Sequence, residues 1–304
     1  MLKCRCCAPR RGFTLVELLV AMIVGGVVLG LLTLAALRQQ RLLADLFEDA
    51  SLSSQLREAS ALLTTDLRAI AAAAGDVRDA RDTAIEARRT IASGIVCDTS
   101  GASLLLAPPT GGADTYASYS SAILPGDTAW LYASGDSADP WIPHVVTSVA
   151  GAAPGQCAPR GPQLAADVAL RARTAIALDS APSGLTIGHP LRVTRSIRLN
   201  LYRSSDDSWN LGERDWNPSM QRFNTVQPLA GPFLSATAMG LVFEYLDTNR
   251  AAMAVPLADA RGAAAIAFTL RGETHDPVRA LGAAAQEGRR RDSVRVTVLL
   301  RNRR

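Results

Sequence analysis

From Phe13 to Leu37 the chain is almost wholly apolar, and its one charged residue there is Glu17. A helix needs about 20 such residues to cross the hydrocarbon core of a bilayer, so the run reads as a membrane-spanning helix. A carboxylate inside such a helix costs about 2.5–3.5 kcal/mol at the membrane centre and normally has a partner and a role. Residues 1–12 carry Lys3, Arg5, Arg10 and Arg11 and no acid. By the positive-inside rule this basic leader stays cytoplasmic, and everything after Leu37 is expected on the far side of the membrane.

The order of parts sets this N-terminus apart from an ordinary secretory signal. Such a signal puts its small-residue cleavage site after the apolar segment, whereas Gly12 precedes it. Cutting after Gly12 would leave the membrane helix on the mature chain. Gly12-Phe13-Thr14-Leu15-Val16-Glu17 behind a basic leader resembles the class III signal of type IV prepilins and type II secretion pseudopilins. The resemblance implies cleavage between Gly12 and Phe13 by a membrane-embedded prepilin peptidase, then N-methylation of Phe13. It also implies a role for Glu17, which in that family attracts the new amino terminus of a neighbouring subunit during assembly. Such pairing at low dielectric must offset desolvation of both ions, which suits it to setting register. A glutamate that snorkels to the interface is the simpler alternative.

The formal net charge is +4, and the four leader cations supply all of it. The mature chain is therefore near neutral, and the high isoelectric point gives no case for nucleic acid. Of five cysteines, Cys4, Cys6 and Cys7 lie in the leader without the second ligand pair of a zinc motif. Cys97 and Cys157 remain, in an expected oxidising compartment. They are a disulfide candidate, with two buried free thiols as the alternative, because bonding requires close Cα atoms.

Gly26 and Gly30 have the small-xxx-small spacing that lets membrane helices approach closely. From Arg38 the pattern becomes amphipathic without a break. Leu42, Leu46, Leu56, Leu63, Leu67 and Ile70 form a stripe, widened by Phe47, Leu52 and Leu62. One helix is expected from the membrane to about Ala71–Gly75, its outer half covered by the domain C-terminal to it. The remainder reads as mainly β. Strands are expected in 84–97, 104–106, 128–132, 141–147, 191–203, 240–247, 264–271 and 293–300, with one wet face on 191–203. Stretches 116–125, 151–162, 216–228 and 272–292 read as loops or irregular connections. The fold class is α+β: a long N-terminal helix packed on a mainly antiparallel β-sheet domain. Its organisation is leader 1–12, transmembrane half 13–37, amphipathic half 38–75 and a β-rich periplasmic domain 76–304.

The order of 196–203, 227–229, 240–247 and 292–303 resembles W-type minor pilins and J-type pseudopilins of type II secretion. That resemblance implies a filament subunit held in the bacterial inner membrane, then in a pilus or pseudopilus. Its implied partners are prepilin peptidase, other pilin or pseudopilin subunits, the inner-membrane assembly platform, and the lipid bilayer through 13–37. A single-pass anchored periplasmic binding protein is the alternative from another class. No catalytic role, metal site or cofactor is expected. His144, His189 and His275 are far apart in sequence, and no G-x-S-x-G elbow or phosphate loop occurs. Asp206-Asp207 and Asp136 with Asp139 have the composition of Ca²⁺ ligands but read as polar turns. Arg289-Arg290-Arg291, Arg301, Arg303 and Arg304 read as a solvated rim rather than a DNA site, since no aromatic residues are interleaved.

Overall fold

Helix α1 runs unbroken from Leu15 to Arg68, 54 residues, because no proline interrupts it. The computed structural model describes residues 14–106, 118–132, 141–152, 173–257, 259–279 and 287–300. The helix ends in a single 3-10 turn at Ala72–Ala74, closed by Gly75 in the left-handed region (φ 75°), where a side chain would be strained. Its buried residues are Leu52, Leu56, Ala59, Leu63 and Leu67, spaced in steps of three and four along one face. Cover over the apolar stripe thus begins at Leu52. Leu42, Leu46 and Phe47, expected beneath it, are 49%, 50% and 73% exposed.

The chain divides into two compact units: α1 up to Ser51 with Thr274–Arg290, and Leu52–Glu273 with the segment from Arg291 onward. In the first unit the segment lies on the polar side of the helix. Backbone N–H groups of His275 and Asp276 donate to the Glu48 carboxylate, at 3.0 and 3.3 Å, and Arg290 pairs with Asp49. That placement explains why the apolar side between Leu42 and Phe47 is left open.

The strands are β1 (Val77–Ala80), β2 (Ala84–Ser100), β3 (Ser103–Leu106), β4 (Ser118–Tyr119), β5 (Thr128–Tyr132) and β6 (Trp141–Ala152). Then come β7 (Arg173–Leu178), β8 (Pro190–Arg203), β9 (Trp209–Asn217), β10 (Arg222–Phe223) and β11 (Gln227–Phe233). The last are β12 (Leu241–Leu246), β13 (Ala265–Glu273), β14 (Val278–Arg279), β15 (Glu287–Gly288) and β16 (Arg291–Leu299). The fold is α+β, the long helix packing through Leu52–Leu67 on a mainly antiparallel β domain.

Within the second unit the pairings β2–β3, β3–β7, β7–β6, β6–β5, β5–β8 and β8–β2 close a ring of antiparallel strands. Two strands turn its corners. β2 pairs with β8 from Ala84 to Ile95 and with β3 from Val96. β6 pairs with β5 as far as Val145 and with β7 from Val146. Register shifts fall at Val96/Asp98 and Val146/Ser148, where bulges let a strand change sheets. The ring encloses its own core, including Ile91, Val96, Leu104, Leu131, Ile176 and Val193. A separate core gathers the helix, the first half of β2, the second half of β8, β9 and the β12-β13-β16 sheet.

Charged residues occupy β2 and β8 between these cores. Arg192, on the face of β8 expected to be wet, and Arg195, on the opposite face with Val193 and Ile197, have side chains only 14% and 10% exposed. Buried carboxylates cover them: Asp76 receives both terminal nitrogens of Arg192 at 3.0 and 3.1 Å. Asp127 receives Nε and Nη2 of Arg195 at 2.8 and 2.7 Å, and this hydrogen bonding raises the Arg195 pKa. Asp76 also accepts the Ala71 N–H at 2.9 Å, tying the helix end to β8. Arg88 and Arg192 both lie over the Trp130 ring, at 4.8 and 5.1 Å. Arg89 reaches Glu213 with both terminal nitrogens at 2.7 Å and Asp215 at 3.3 Å.

Strands β1, β7, β9, β10 and β11 lie outside the expected strand segments, and 272–292 contains the paired strands β14 and β15. Residues 118–119, read as loop, form β4 against β2.

Candidate functional site

The first turn of α1 is built by Thr14. Its Oγ1 accepts the Glu17 N–H at 3.2 Å, and its carbonyl accepts the Leu18 N–H at 3.2 Å. Thr14 is therefore the N-cap and Glu17 the third helical residue, the T-x-x-E spacing of a capping box. A carboxylate in this turn also meets the positive end of the helix dipole. Beside the assembly role that the resemblance implies for Glu17, its backbone N–H thus serves this local cap, a role signalled in the sequence by the T-x-x-E spacing.

Glu17 is exposed, and so are the large apolar side chains from Leu15 (81%) to Leu37 (47%). Nothing lies within 4 Å of the space a side chain would take at Gly25, Gly26 or Gly30, so this face is open to close approach. The helix is long and apolar enough to cross a membrane. Its exposed surface requires an apolar environment, which a bilayer or a bundle of like helices supplies.

The other sequence candidates are dispersed. Gly12, Phe13 and Cys157 lie outside the described residues, as do Asp136, Asp139, Arg301, Arg303 and Arg304. Cys97 is buried on β2 and disulfide-bonded, its other half being outside the described residues. Asp206 accepts from Ser204 Oγ, and from Ser208 Oγ and N at 2.8 and 3.2 Å. These bonds hold its carboxyl down at about 2 and fix a polar turn. Among the described residues no three His, Cys, Asp or Glu groups converge as a metal site. Arg290 and Arg291 are paired with Asp49 and Glu273.

His144 contacts Asp179 at 3.3 Å and Ser180 at 3.1 Å. His189 meets Thr186 at 3.0 Å and His275 meets Asp276 at 3.2 Å, so each histidine has separate neighbours.

No curated protein and no solved structure matches the chain. Residues 7–33 match the family model described as the prokaryotic N-terminal methylation motif, and the chain therefore carries a class III prepilin-like signal leading into α1.

Proposed function

We propose that this chain is a minor pilin, a non-catalytic subunit that primes or joins a type IV pilus-like filament. Cleavage between Gly12 and Phe13 by prepilin peptidase, with methylation of Phe13, precedes assembly. The supporting observation is the methylation motif set at the start of a helix exposed along its whole apolar length. In this reading 1–12 is a cytoplasmic leader, 13–37 spans the inner membrane, 38–75 continues the helix and 76–304 is periplasmic. Other subunits and the assembly platform are its partners. A pseudopilin of type II secretion shares every one of these features, and genomic neighbours separate the two. A tethered periplasmic binding protein that never polymerises is the rival of another class.

Glu17 and the amine of Phe13 on an adjacent subunit form the assembly pair. Glutamine also serves at the third position of a capping box, so Glu17→Gln removes the charge and keeps the cap. Mass measurement of the mature N-terminus is expected to show methyl-Phe13 in both parent and variant, while the variant falls to background in sheared filaments. An intact Met1 in the parent would falsify the processing step, and normal incorporation of Glu17→Gln would remove the pairing role.

Cys157 is the proposed partner of Cys97. Val96 pairs with Leu106, Leu106 with Thr174 and Thr174 with Gly151. Cys97 therefore lies beside the row of strand ends from which the segment carrying Cys157 departs.

A further inference from the structure

A pocket of about 180 Å³ lies where the start of β2 and the end of β8 meet the turn leading into β12. Ala84, Leu201, Ala236 and Leu241 give it apolar walls, and its polar groups come from Thr83, Arg198 and Asn200. Strand register orders the residues around it. Ala84, Asn200 and Gly212 stand in one row across β2, β8 and β9, and Glu86, Arg198 and Arg214 stand in the next. Both rows lie on the face opposite to Ile85, Leu199 and Leu211, which enter the helix-bearing core.

The charges in the second row do not balance. Arg198 and Arg214 are half-buried and directly opposite one another, and like charges so placed are destabilising. Among the described residues neither guanidinium has a hydrogen bond or an ion pair. The Nε of Arg214 is closed off from solvent without an acceptor, which is uncommon for a buried donor. Glu86, on the other side of Arg198, feels its charge but is shared with Arg78. These two arginines thus differ from Arg89, Arg192 and Arg195, each of which is matched by a carboxylate at close range. Nearby, Asn200 donates from Nδ2 to the Leu201 carbonyl at 2.6 Å, which leaves its Oδ1 as an acceptor.

We propose that this pocket binds a small organic anion: one carboxylate or phosphate carried on a body the size of a single sugar ring. Arg198 takes the charge, since a guanidinium matches either oxyanion with two parallel donors. Arg214 adds its positive field from the next strand, so that an anion beside the pair relieves their mutual repulsion. Thr83 and Asn200 order hydroxyl groups, and the apolar walls cover a ring face. A drug-sized ligand takes a pocket of about 300–1,000 Å³, so this smaller one suits one ring. The same chemistry occurs in a free sugar acid and at the end of an acidic glycan. The site makes no use of the N-terminal signal and stands whether or not the chain polymerises.

The full-length chain in a neutral detergent is titrated calorimetrically with galacturonate, galactose 1-phosphate and galactose. Saturable one-to-one binding is expected for at least one of the two anions, with galactose at least tenfold weaker. The bound anion also raises the parent's thermal midpoint. Arg198→Gln weakens binding at least tenfold and abolishes that rise. Its midpoint without ligand stays level or climbs, because one of two facing cations is gone. Asn200→Asp, which sets a carboxylate in the pocket, likewise repels the anion. Arg203→Gln, on an exposed residue paired with Asp207 at the end of the same strand, binds as the parent does. Tri-galacturonate binding at least as tightly as galacturonate assigns the site to a glycan end, and its exclusion assigns the site to a free sugar acid. No saturation by either anion at millimolar concentration, equal binding of galactose, or binding indifferent to Arg198→Gln overturns the proposal.

Discussion

The carboxylates packed around Arg89 show how individual side chains set the condition under which this domain is most stable. Burial raises the Asp66 carboxyl above its ordinary value, against the pull of Arg89. Burial likewise raises Glu213, opposed by Arg89 and reinforced by Asp66 and Asp215. A group whose folded pKa exceeds its unfolded one stabilises the fold when protonated and loses that contribution as pH rises through the folded value. For Asp66 the loss begins above the reference value of 3.8. Asp66→Asn removes the charge, so at pH 7 its thermal midpoint is expected to lie above the parent's. The gap should close as the buffer is taken below the carboxylate range. A variant less stable than the parent at pH 7 would show that attraction to Arg89 outweighs burial. None of these partnerships was legible in the sequence, because Arg89 and Glu213 are joined only by the final pairing of β2, β8 and β9, and Asp66 reaches them from the helix.

Elements with a clean period were legible, and those without one were not. The helix, β8, β12, β13 and β16 show regular apolar spacing, and their positions match the expectation to within a few residues. β9 gives no such signal, since Asn210, Gly212, Glu213, Arg214 and Asp215 read as a polar connection. It is nonetheless an inner strand between β8 and β11. Gly212 is required there: an added Cβ would lie 2.3 Å from Val226 and 2.6 Å from Tyr202. The apolar stripe of the helix has the expected period but a shorter covered extent, because periodicity reports a face and not what covers it. The difference is measurable in urea. Leu63→Ala, at a position 0% exposed, is expected to cost about 2–5 kcal/mol. Leu42→Ala, on the open face, should stay within about 0.5 kcal/mol. Equal losses at both positions would show that the first turns beyond the membrane segment are also covered.

For the molecule as a whole, the N-terminal signal was readable from the first residues, whereas the closed ring of strands was not. Ring closure depends on β8 returning to both β2 and β5, and no local pattern records such long-range pairing. The disulfide belongs to this scale, since it would tie Cys97 on β2 to the segment leaving β6. Cys97→Ser is expected to lower stability by about 2–4 kcal/mol, the usual worth of such a bond. A reductant should lower the parent's thermal midpoint by a matching amount. Alkylation that finds Cys97 and Cys157 both free under non-reducing conditions would remove the pairing. The ring enters and leaves the helix-bearing layer through neighbouring residues, where Thr90 lies opposite Thr194 and the register shifts between Thr90 and Ala92. It is thus a cassette spliced into a hairpin: its loops and diameter are free to be retailored while the layer that packs on the helix stays the same.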